Sequence, residues 1–435
     1  MINLLNSFNA ITKSKSRFRK NIISIATGSL ASQIVLILAM PLLTRLYKPE
    51  EFGILALFTS AYAIFVGLIT LKYDLSIILP QSKDKAVQLT VLTLVLSFLF
   101  SLIIFLLIVI SYFAFNRPEN GYFLLLPLSI FLGAAYTCGQ QWSARATEYS
   151  RYAKSQVINS VVNVVVCVLL AVFVKNIMGS LVLGYIAGLI AGLFVIVNSF
   201  VKLKKTHGLY NLHFSKLIDI AIEYKRFPIF VLPSMLLISL GVNATPFVFQ
   251  AIFSLTSLGH YSLANRFLVG PSGIISGAVG EAFRAEFVDR QRCGFEISGL
   301  YKHTLIKMLF VACPLFIIIF IFAPSLFSVL LGESYRDTGL LARYLCLGVF
   351  SQFISNPFLY VFVATNHVKL GLYIQSALTI IPLLCIILVG LNGNIESAVL
   401  TSSLLTFLIS IALLFLAHHC CISNDSLIAN RISDA

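Results

Sequence analysis

Residues 28–79 read GSLASQIVLILAMPLLTRLYKPEEFGILALFTSAYAIFVGLITLKYDLSIIL, two apolar runs joined by a short polar corner. The first run ends just past Pro41, the corner covers residues 44–51, and the second run continues from Phe52 to about Leu71. Each run can supply the roughly 20 apolar residues that cross the core of a bilayer as a helix. Because the corner is too short to house a domain, the two runs are predicted to form an antiparallel helical hairpin.

A weaker copy of this hairpin occurs about 206 residues later, where an apolar run interrupted by Pro246 leads through a short corner into Gly259. Pro41 precedes Gly53 by 12 residues, and Pro246 precedes Gly259 by 13. Paired halves with proline- or glycine-broken helices at matching positions are typical of transporters built from internal repeats. The pattern therefore predicts a membrane transporter with two lobes.

The composition excludes a water-soluble globular protein. Hydrophobic residues make up 58% of the chain, charged residues only 11%, and the mean hydropathy is +0.94. The formal net charge of +14 has two interpretations, namely basic cytoplasmic loops that set the topology or attraction for an anionic ligand. Nucleic acid is disfavoured as a partner, because the basic residues are scattered over many loops.

The apolar runs predict an all-α polytopic membrane protein with about twelve transmembrane helices. The predicted spans are 21–46, 52–71, 86–113, 121–142, 156–174, 178–201, 228–252, 258–282, 303–323, 339–363, 369–390 and 395–417. The longest internal loop, 202–227, divides them into a six-helix lobe at 1–205 and a second at 206–435. Within that loop, residues 214–224 have helical apolar spacing and are expected to lie in the membrane interface.

The distribution of lysine and arginine predicts that both termini are cytoplasmic. A basic tail at residues 1–20 precedes the first span, and we interpret that span as an uncleaved helix. Of the 31 basic residues, 24 fall in the tail or in loops on one side, as the positive-inside rule expects of the cytoplasm. The other seven are Arg45, Lys48, Arg117, Lys175, Arg266, Arg336 and Arg343.

The eight cysteines do not predict a disulfide framework, because none pairs with another across a predicted external loop. The run His418-His419-Cys420-Cys421 lacks a second group of ligands, so no metal site and no cofactor is predicted. No loop is long enough to house a catalytic domain and no P-loop is present. We therefore expect that the protein is not an enzyme.

Ionisable residues within or beside a span are the candidate site residues, since such groups are costly in a membrane. Arg266 lies about eight residues past the start of the predicted eighth span at 258, or about 12 Å into it at 1.5 Å per residue. It either lines a substrate path together with Asn265 or extends its side chain back to the interface. Asn243, close to Pro246, either offers polar groups at an unwound turn or forms a core hydrogen bond.

The remaining candidates lie at predicted cytoplasmic ends of spans. Lys72 and Asp74 either face a cavity or pair with each other at the membrane rim. Two further pairs, Arg145 with Glu148 and Glu281 with Arg284, are three residues apart, a spacing that favours helical ion pairs over a direct role as ligands.

Several of these segments resemble one known family. They are the corner Thr44-Arg45-Leu46-Tyr47-Lys48-Pro49-Glu50-Glu51-Phe52-Gly53, the segment Tyr73-Asp74-Leu75-Ser76-Ile77-Ile78-Leu79-Pro80, and Leu258-Gly259-His260-Tyr261-Ser262-Leu263-Ala264-Asn265-Arg266. With the six-plus-six layout, they resemble bacterial polysaccharide-biosynthesis flippases of the Wzx type. These translocate O-antigen or capsule repeat units and belong to the multidrug/oligosaccharidyl-lipid/polysaccharide exporter superfamily.

The resemblance implies translocation of an undecaprenyl-pyrophosphate-linked oligosaccharide across the bacterial inner membrane, from the cytoplasmic to the periplasmic leaflet. It implies two six-helix bundles in a V around a central cationic cavity, alternating access, and coupling to a proton or sodium ion. Arg266 matches the family tendency for a cation lining the cavity. Other partners implied are membrane lipids, a polysaccharide polymerase and a chain-length regulator. Related flippases carry an arginine within the first helix, and this chain has none in its first apolar run, before the corner at 44–51.

Two alternatives remain open. A multidrug exporter of the same fold would need buried acidic groups for organic cations, and the acids near a span, Asp74, Glu148 and Glu281, lie at predicted cytoplasmic ends. A membrane polymerase or glycosyltransferase would need a large external loop, and the largest here is about 323–338.

Overall fold

The computed structural model describes residues 27–115, 118–174, 179–206 and 214–433, and all regular elements in these ranges are helices. The predicted all-α class is therefore confirmed. The basic tail at residues 1–20 lies outside the described ranges, as do Arg117 and Lys175.

The chain forms two compact units, of which the first comprises the described residues up to Tyr47 together with Ile54–Asn243. Its helices are α1 (Thr27–Leu46), α2 (Pro49–Ile69), α3 (Tyr73–Ser76), α4 (Lys83–Phe115), α5 (Leu126–Arg145), α6 (Tyr149–Phe173), α7 (Ser180–Thr206), α8 (Phe214–Glu223) and α9 (Leu232–Asn243). A 3-10 turn at Pro118–Leu125 precedes α5, and a π-helical turn at Phe227–Val231 precedes α9.

The second unit comprises the described residues from Ala244 onward and the short segment Lys48–Gly53, which begins α2. Its helices are α10 (Thr245–Ile252), α11 (Leu255–Cys293), α12 (Ser298–Leu331), α13 (Arg336–Ser355), α14 (Leu359–Ala364), α15 (Val368–Gly390) and α16 (Ile395–Ser433). Tyr301 and Phe358 are buried at its core, where their rings lie 4.5 Å apart. The boundary between the two compact units thus follows Asn243, whereas the sequence predicts a boundary between the two lobes after residue 205.

Ten helices in the described ranges are long and apolar enough to cross a membrane. The number rises to eleven if Ser215–Glu223 and Phe227–Asn243, which meet at an angle of 51°, form one bent span. These ten to eleven candidate spans agree with the predicted architecture of about twelve transmembrane helices. The predicted seventh span is broken into the π-helical turn, α9 and α10, and the predicted eighth lies in α11, which is not apolar enough to be counted.

Glycines at every fourth position of α7 allow close packing against α6. A Cβ on Gly188 would lie 2.6 Å from the carbonyl oxygen of Asn159, and one on Gly192 would lie 3.2 Å from that of Ser155. The sequence also suggests close packing at Gly273 and Gly277 of α11, but a Cβ at either position would meet nothing within 4 Å. A glycine repeat permits a close contact but does not by itself provide the partner helix.

Candidate functional site

Helix α11 is the element that best combines length with polarity. It runs for 39 residues from an N-cap at Ser254, whose hydroxyl accepts a hydrogen bond from the Ser257 amide, to a left-handed glycine at Gly294. Pro271 lies inside the helix. Four of the predicted site residues lie on this one helix: Asn265, Arg266, Glu281 and Arg284.

The spacing of these residues places most of them on one face. Residues three or four apart on a helix are neighbours, and the series 266, 270, 273, 277, 281 and 284 keeps that spacing throughout. At 1.5 Å per residue, Arg266 and Arg284 are separated by about 27 Å along the axis, close to the thickness of a bilayer core. Between them this face carries glycine at three of its four positions, 270, 273 and 277, and Gly273 and Gly277 border open space.

The two arginines of this face differ in their surroundings. Arg266 is half-buried. Arg284 is exposed, with its guanidinium 5.1 Å from the ring centre of Tyr360 and 3.7 Å from the Glu281 carboxylate. The predicted Glu281–Arg284 ion pair is therefore present, although such an exposed pair contributes at most about 1 kcal/mol to stability. A guanidinium can bind a phosphate through two parallel hydrogen bonds, so this face can bind an elongated anion.

Asn243 ends α9, and only Ala244 separates it in the sequence from α10, which begins with Thr245 and Pro246. The interrupted helix predicted at this point is present. The Asn243 side-chain amide donates to the Ser239 carbonyl oxygen at 2.9 Å, within its own helix. Of its two predicted roles, the local hydrogen bond is the one that the structure contains.

Lys72 and Asp74 lie where the chain turns between α2 and α4. Asp74 is only 5% exposed, and its Oδ1 atom has no hydrogen-bond partner. Burial raises the pKa of Asp74, while nearby Lys72 and the Thr70 hydroxyl partly oppose the shift. The two charges do not form the predicted surface ion pair, because α3 turns the carboxyl inward.

Arg145 does not pair with Glu148, so that prediction is wrong. Helix α5 ends at Arg145, and Thr147 has a left-handed φ of 56°, so the two residues do not share a continuous helix. Glu148 instead contacts Arg151 at 2.6 Å. The Arg145 guanidinium donates to the carbonyl oxygens that follow α3, those of Ile77, Ile78, Gln81 and Ser82, at 3.2–3.4 Å.

The structure thus brings Lys72, Asp74 and Arg145 together in the first unit. Sequence reasoning missed Trp142, one helical turn before Arg145, which donates from Nε1 to the buried Thr90 hydroxyl at 2.7 Å. The guanidinium of Arg145 lies 5.9 Å from the centre of the Trp142 ring. The available signal was that Trp142 is the sole tryptophan of a chain with 12% aromatic residues.

The run at 418–421 serves packing in the second unit. His418 stacks on Tyr301 with ring centres 5.3 Å apart, and Cys420 and Cys421 are buried in the core. Within the described ranges, no group of three or more histidine, cysteine or acidic residues is arranged to hold a metal ion.

Comparisons with solved structures show the fold. The lipid II flippase MurJ in an inward closed conformation shares 15% sequence identity, with 90% of this chain and 87% of that chain covered and a TM-score of 0.69. An inward-facing multidrug resistance MATE family transporter of the MOP superfamily shares 12% identity, with 93% and 95% covered and a TM-score of 0.56. A MOP superfamily transporter from Pyrococcus furiosus shares 14%, with 93% and 96% covered and a TM-score of 0.53.

A family model described as "Polysaccharide biosynthesis protein" matches residues 42–339. No curated protein matches the chain by sequence. The family match covers both polar corners and nearly all of the helices from α2 to α12. Because it spans more than half of the sequence and the fold is that of MOP superfamily exporters, this multi-pass membrane protein belongs to the polysaccharide biosynthesis protein family.

Proposed function

We propose that the protein is a flippase for an undecaprenyl-pyrophosphate-linked oligosaccharide, an O-antigen or capsule repeat unit. It moves this lipid from the cytoplasmic to the periplasmic leaflet of the bacterial inner membrane by alternating access, with both termini cytoplasmic and with coupling to a proton or sodium ion. The family match supports a role in polysaccharide biosynthesis, and the fold supports transport. A polysaccharide polymerase and a chain-length regulator are the expected partners downstream.

The polar face of α11 is the single observation that carries the proposal. A helix of 39 residues is long enough to cross the bilayer, yet this one is not apolar enough to face lipid on all sides. Its small residues leave room for a sugar chain, and Arg266 supplies positive charge where water is partly excluded and screening is weak. Arg266 is therefore the pyrophosphate-binding residue, with Asn265 beside it and Glu281 and Arg284 at the other end of the face.

The test of this function is complementation of a strain that lacks its own flippase and has therefore lost its surface glycan. The measured result is whether the protein restores display of that glycan. Arg266→Ala is expected to abolish display, and Arg266→Lys to retain part of it, because an ammonium cannot reproduce the paired hydrogen bonds of a guanidinium. Arg336→Ala is the matched control, since Arg336 is exposed and forms an ion pair with the equally exposed Glu333 at 3.5 Å. Full display by Arg266→Ala at normal protein level would overturn the assignment.

A further inference from the structure

The carboxyl group of Asp74 is the most unusual polar group of the first unit. It is buried, its Oδ1 atom has no hydrogen-bond partner, and it lies beside the thiol of Cys138, which is itself 2% exposed. A buried carboxylate normally accepts hydrogen bonds at both oxygens, and an oxygen left without a partner destabilises the charged form. A proton on the carboxyl removes the charge and with it most of this cost.

The neighbouring cations do not neutralise Asp74 directly. The Lys72 ammonium lies over Gly67, 3.4 Å from where a Cβ on that glycine would stand, and makes no ion pair with the carboxylate in the described structure. The Arg145 guanidinium is bound to the carbonyl oxygens after α3. Both cations nevertheless lie close to α3, Lys72 directly before it and Arg145 at the carbonyl of Ile77 directly after it, so a metal cation bound at the carboxylate would be repelled by them, whereas a proton that forms a neutral carboxyl group would not.

The backbone holds the carboxyl in place at some energetic cost. Leu71 and Lys72 have left-handed φ values of 46° and 60°, and such conformations are strained in residues other than glycine. They persist because α3 is anchored on two sides. The Tyr73 hydroxyl donates to the Ala221 carbonyl oxygen at 3.0 Å, and Arg145 holds the carbonyl of Ile77.

We propose that Asp74 is a proton-binding site, at which Oδ1 accepts a proton from water in one conformation of the first unit and returns it in another. The proposal deepens the proposed function, because this proton is the coupling ion of transport. Burial raises the pKa of the carboxyl, which brings its titration toward physiological pH.

The other titratable and charged groups near this site come from each element packed around α3, together with the turn before it. They are Lys72, Tyr73, Lys83, Asp84, Lys85, Cys138, Arg145, Asp219, Glu223, Tyr224, Lys225 and Arg226. Lys85 and Glu223 neutralise each other at 2.7 Å. The acids in this list, Asp84, Asp219 and Glu223, are all exposed, whereas the carboxyl group of Asp74 is buried.

Trp142 provides a direct readout, because it is the sole tryptophan and packs in the same buried cluster as Tyr73 and Cys138. The purified full-length protein in lipid nanodiscs is titrated from about pH 5 to 9 while its tryptophan emission is recorded. We expect a single sigmoidal change in the wild type, a flat profile in Asp74→Asn, and a profile with a shifted midpoint in Asp74→Glu. Asp219→Asn, which removes an exposed acid of α8, should titrate as the wild type does.

Two controls exclude other sources of the signal. The double variant His207→Gln/His213→Gln removes histidines close in sequence to α8, and it should leave the titration unchanged. Replacement of potassium chloride by sodium chloride at constant pH should also leave the tryptophan emission unchanged. A wild-type profile without a transition, a transition that survives in Asp74→Asn, or a change produced by sodium alone would each overturn the proton site.

A transport assay distinguishes a failure of the proton-binding site from a failure of the proposed function. In the complementation assay, Asp74→Asn at normal protein level is expected to lose glycan display. Full display by that variant would show that the proton is not coupled to transport and would overturn the proposal. If instead Trp142 titrates through Asp74 while the wild type fails to restore any glycan, the proton-binding site stands and the proposed cargo is wrong.

Discussion

Gly53 and Gly259 each lie against the helix that carries the other. A Cβ on Gly259 would collide with the carbonyl oxygen of Pro49, and one on Gly53 would collide with that of Leu255. Because 53 and 259 differ by 206, as do 49 and 255, the two contacts are equivalent, as in a contact across a two-fold axis.

A third contact has the same offset. The Thr256 hydroxyl donates to the Glu50 carboxylate at 3.1 Å, across a separation of 206 residues. The hairpin and its weak copy in the sequence therefore meet at their corners, within the second unit.

Replacement of Gly259 by alanine should destabilise the protein, since the atom in the way is backbone and cannot rotate aside. We expect a loss of at least about 1–3 kcal/mol, the usual cost of overpacking. Gly273→Ala on the same helix is the control, because its Cβ would meet open space, and it should be neutral or slightly stabilising. Thermal unfolding in detergent, followed by size-exclusion chromatography, measures both; equal melting temperatures for the two variants would contradict the contact.

Arg145→Ala should loosen the segment that follows α3. The guanidinium donates to four carbonyl oxygens, and hydrogen bonds from charged groups contribute about 1.5–3 kcal/mol each when buried and less when exposed, as several of these are. Hydrogen exchange of residues 77–82 should accelerate in the variant. Arg151→Ala, which breaks a helical ion pair with Glu148, should leave that exchange unchanged. Equal protection in both variants would show that Arg145 does not hold the segment.

Asp74→Asn should raise thermal stability at neutral pH. The pKa of Asp74 is raised in the folded state above its unfolded value of about 3.9. Between the unfolded pKa and the folded pKa, the folded protein therefore binds more protons than the unfolded protein does. Its free energy of unfolding falls as the pH rises through this range. Asparagine removes that loss, so the gain in melting temperature should be present at pH 7 and vanish below about pH 4. A gain that is independent of pH would contradict the linkage.

Cys293 should identify the side of the membrane on which α11 ends. It is the exposed member of the eight cysteines, next to basic residues predicted to be cytoplasmic. A membrane-impermeant maleimide should label it in inverted vesicles and not in intact spheroplasts. Cys293→Ser should remove the signal. Labelling confined to spheroplasts would reverse the predicted topology.

Local sequence determined the features that depend on one segment at a time. Runs of about 20 apolar residues must form helices in a bilayer, because only helices and closed barrels satisfy the backbone there. The all-α class, the corner after Pro41, the break before Pro246 and the helix at 214–223 could therefore be predicted. The segments that resemble the known family could also be found from the sequence, because they are short polar corners between long apolar runs.

Features that depend on which elements meet were decided by tertiary structure alone. Helix spacing suggested a pair between Arg145 and Glu148, but the end of α5 between them sends the guanidinium to the carbonyls after α3. Repeated glycines suggest close packing at Gly273, yet a Cβ there would meet nothing within 4 Å, whereas Gly53 and Gly259 lie in contact although 206 residues separate them. Asp74 is adjacent to polar residues in sequence, but the fold buries it. Burial and partners are properties of surfaces that come together only when the chain has folded, and the sequence of any single segment does not contain them.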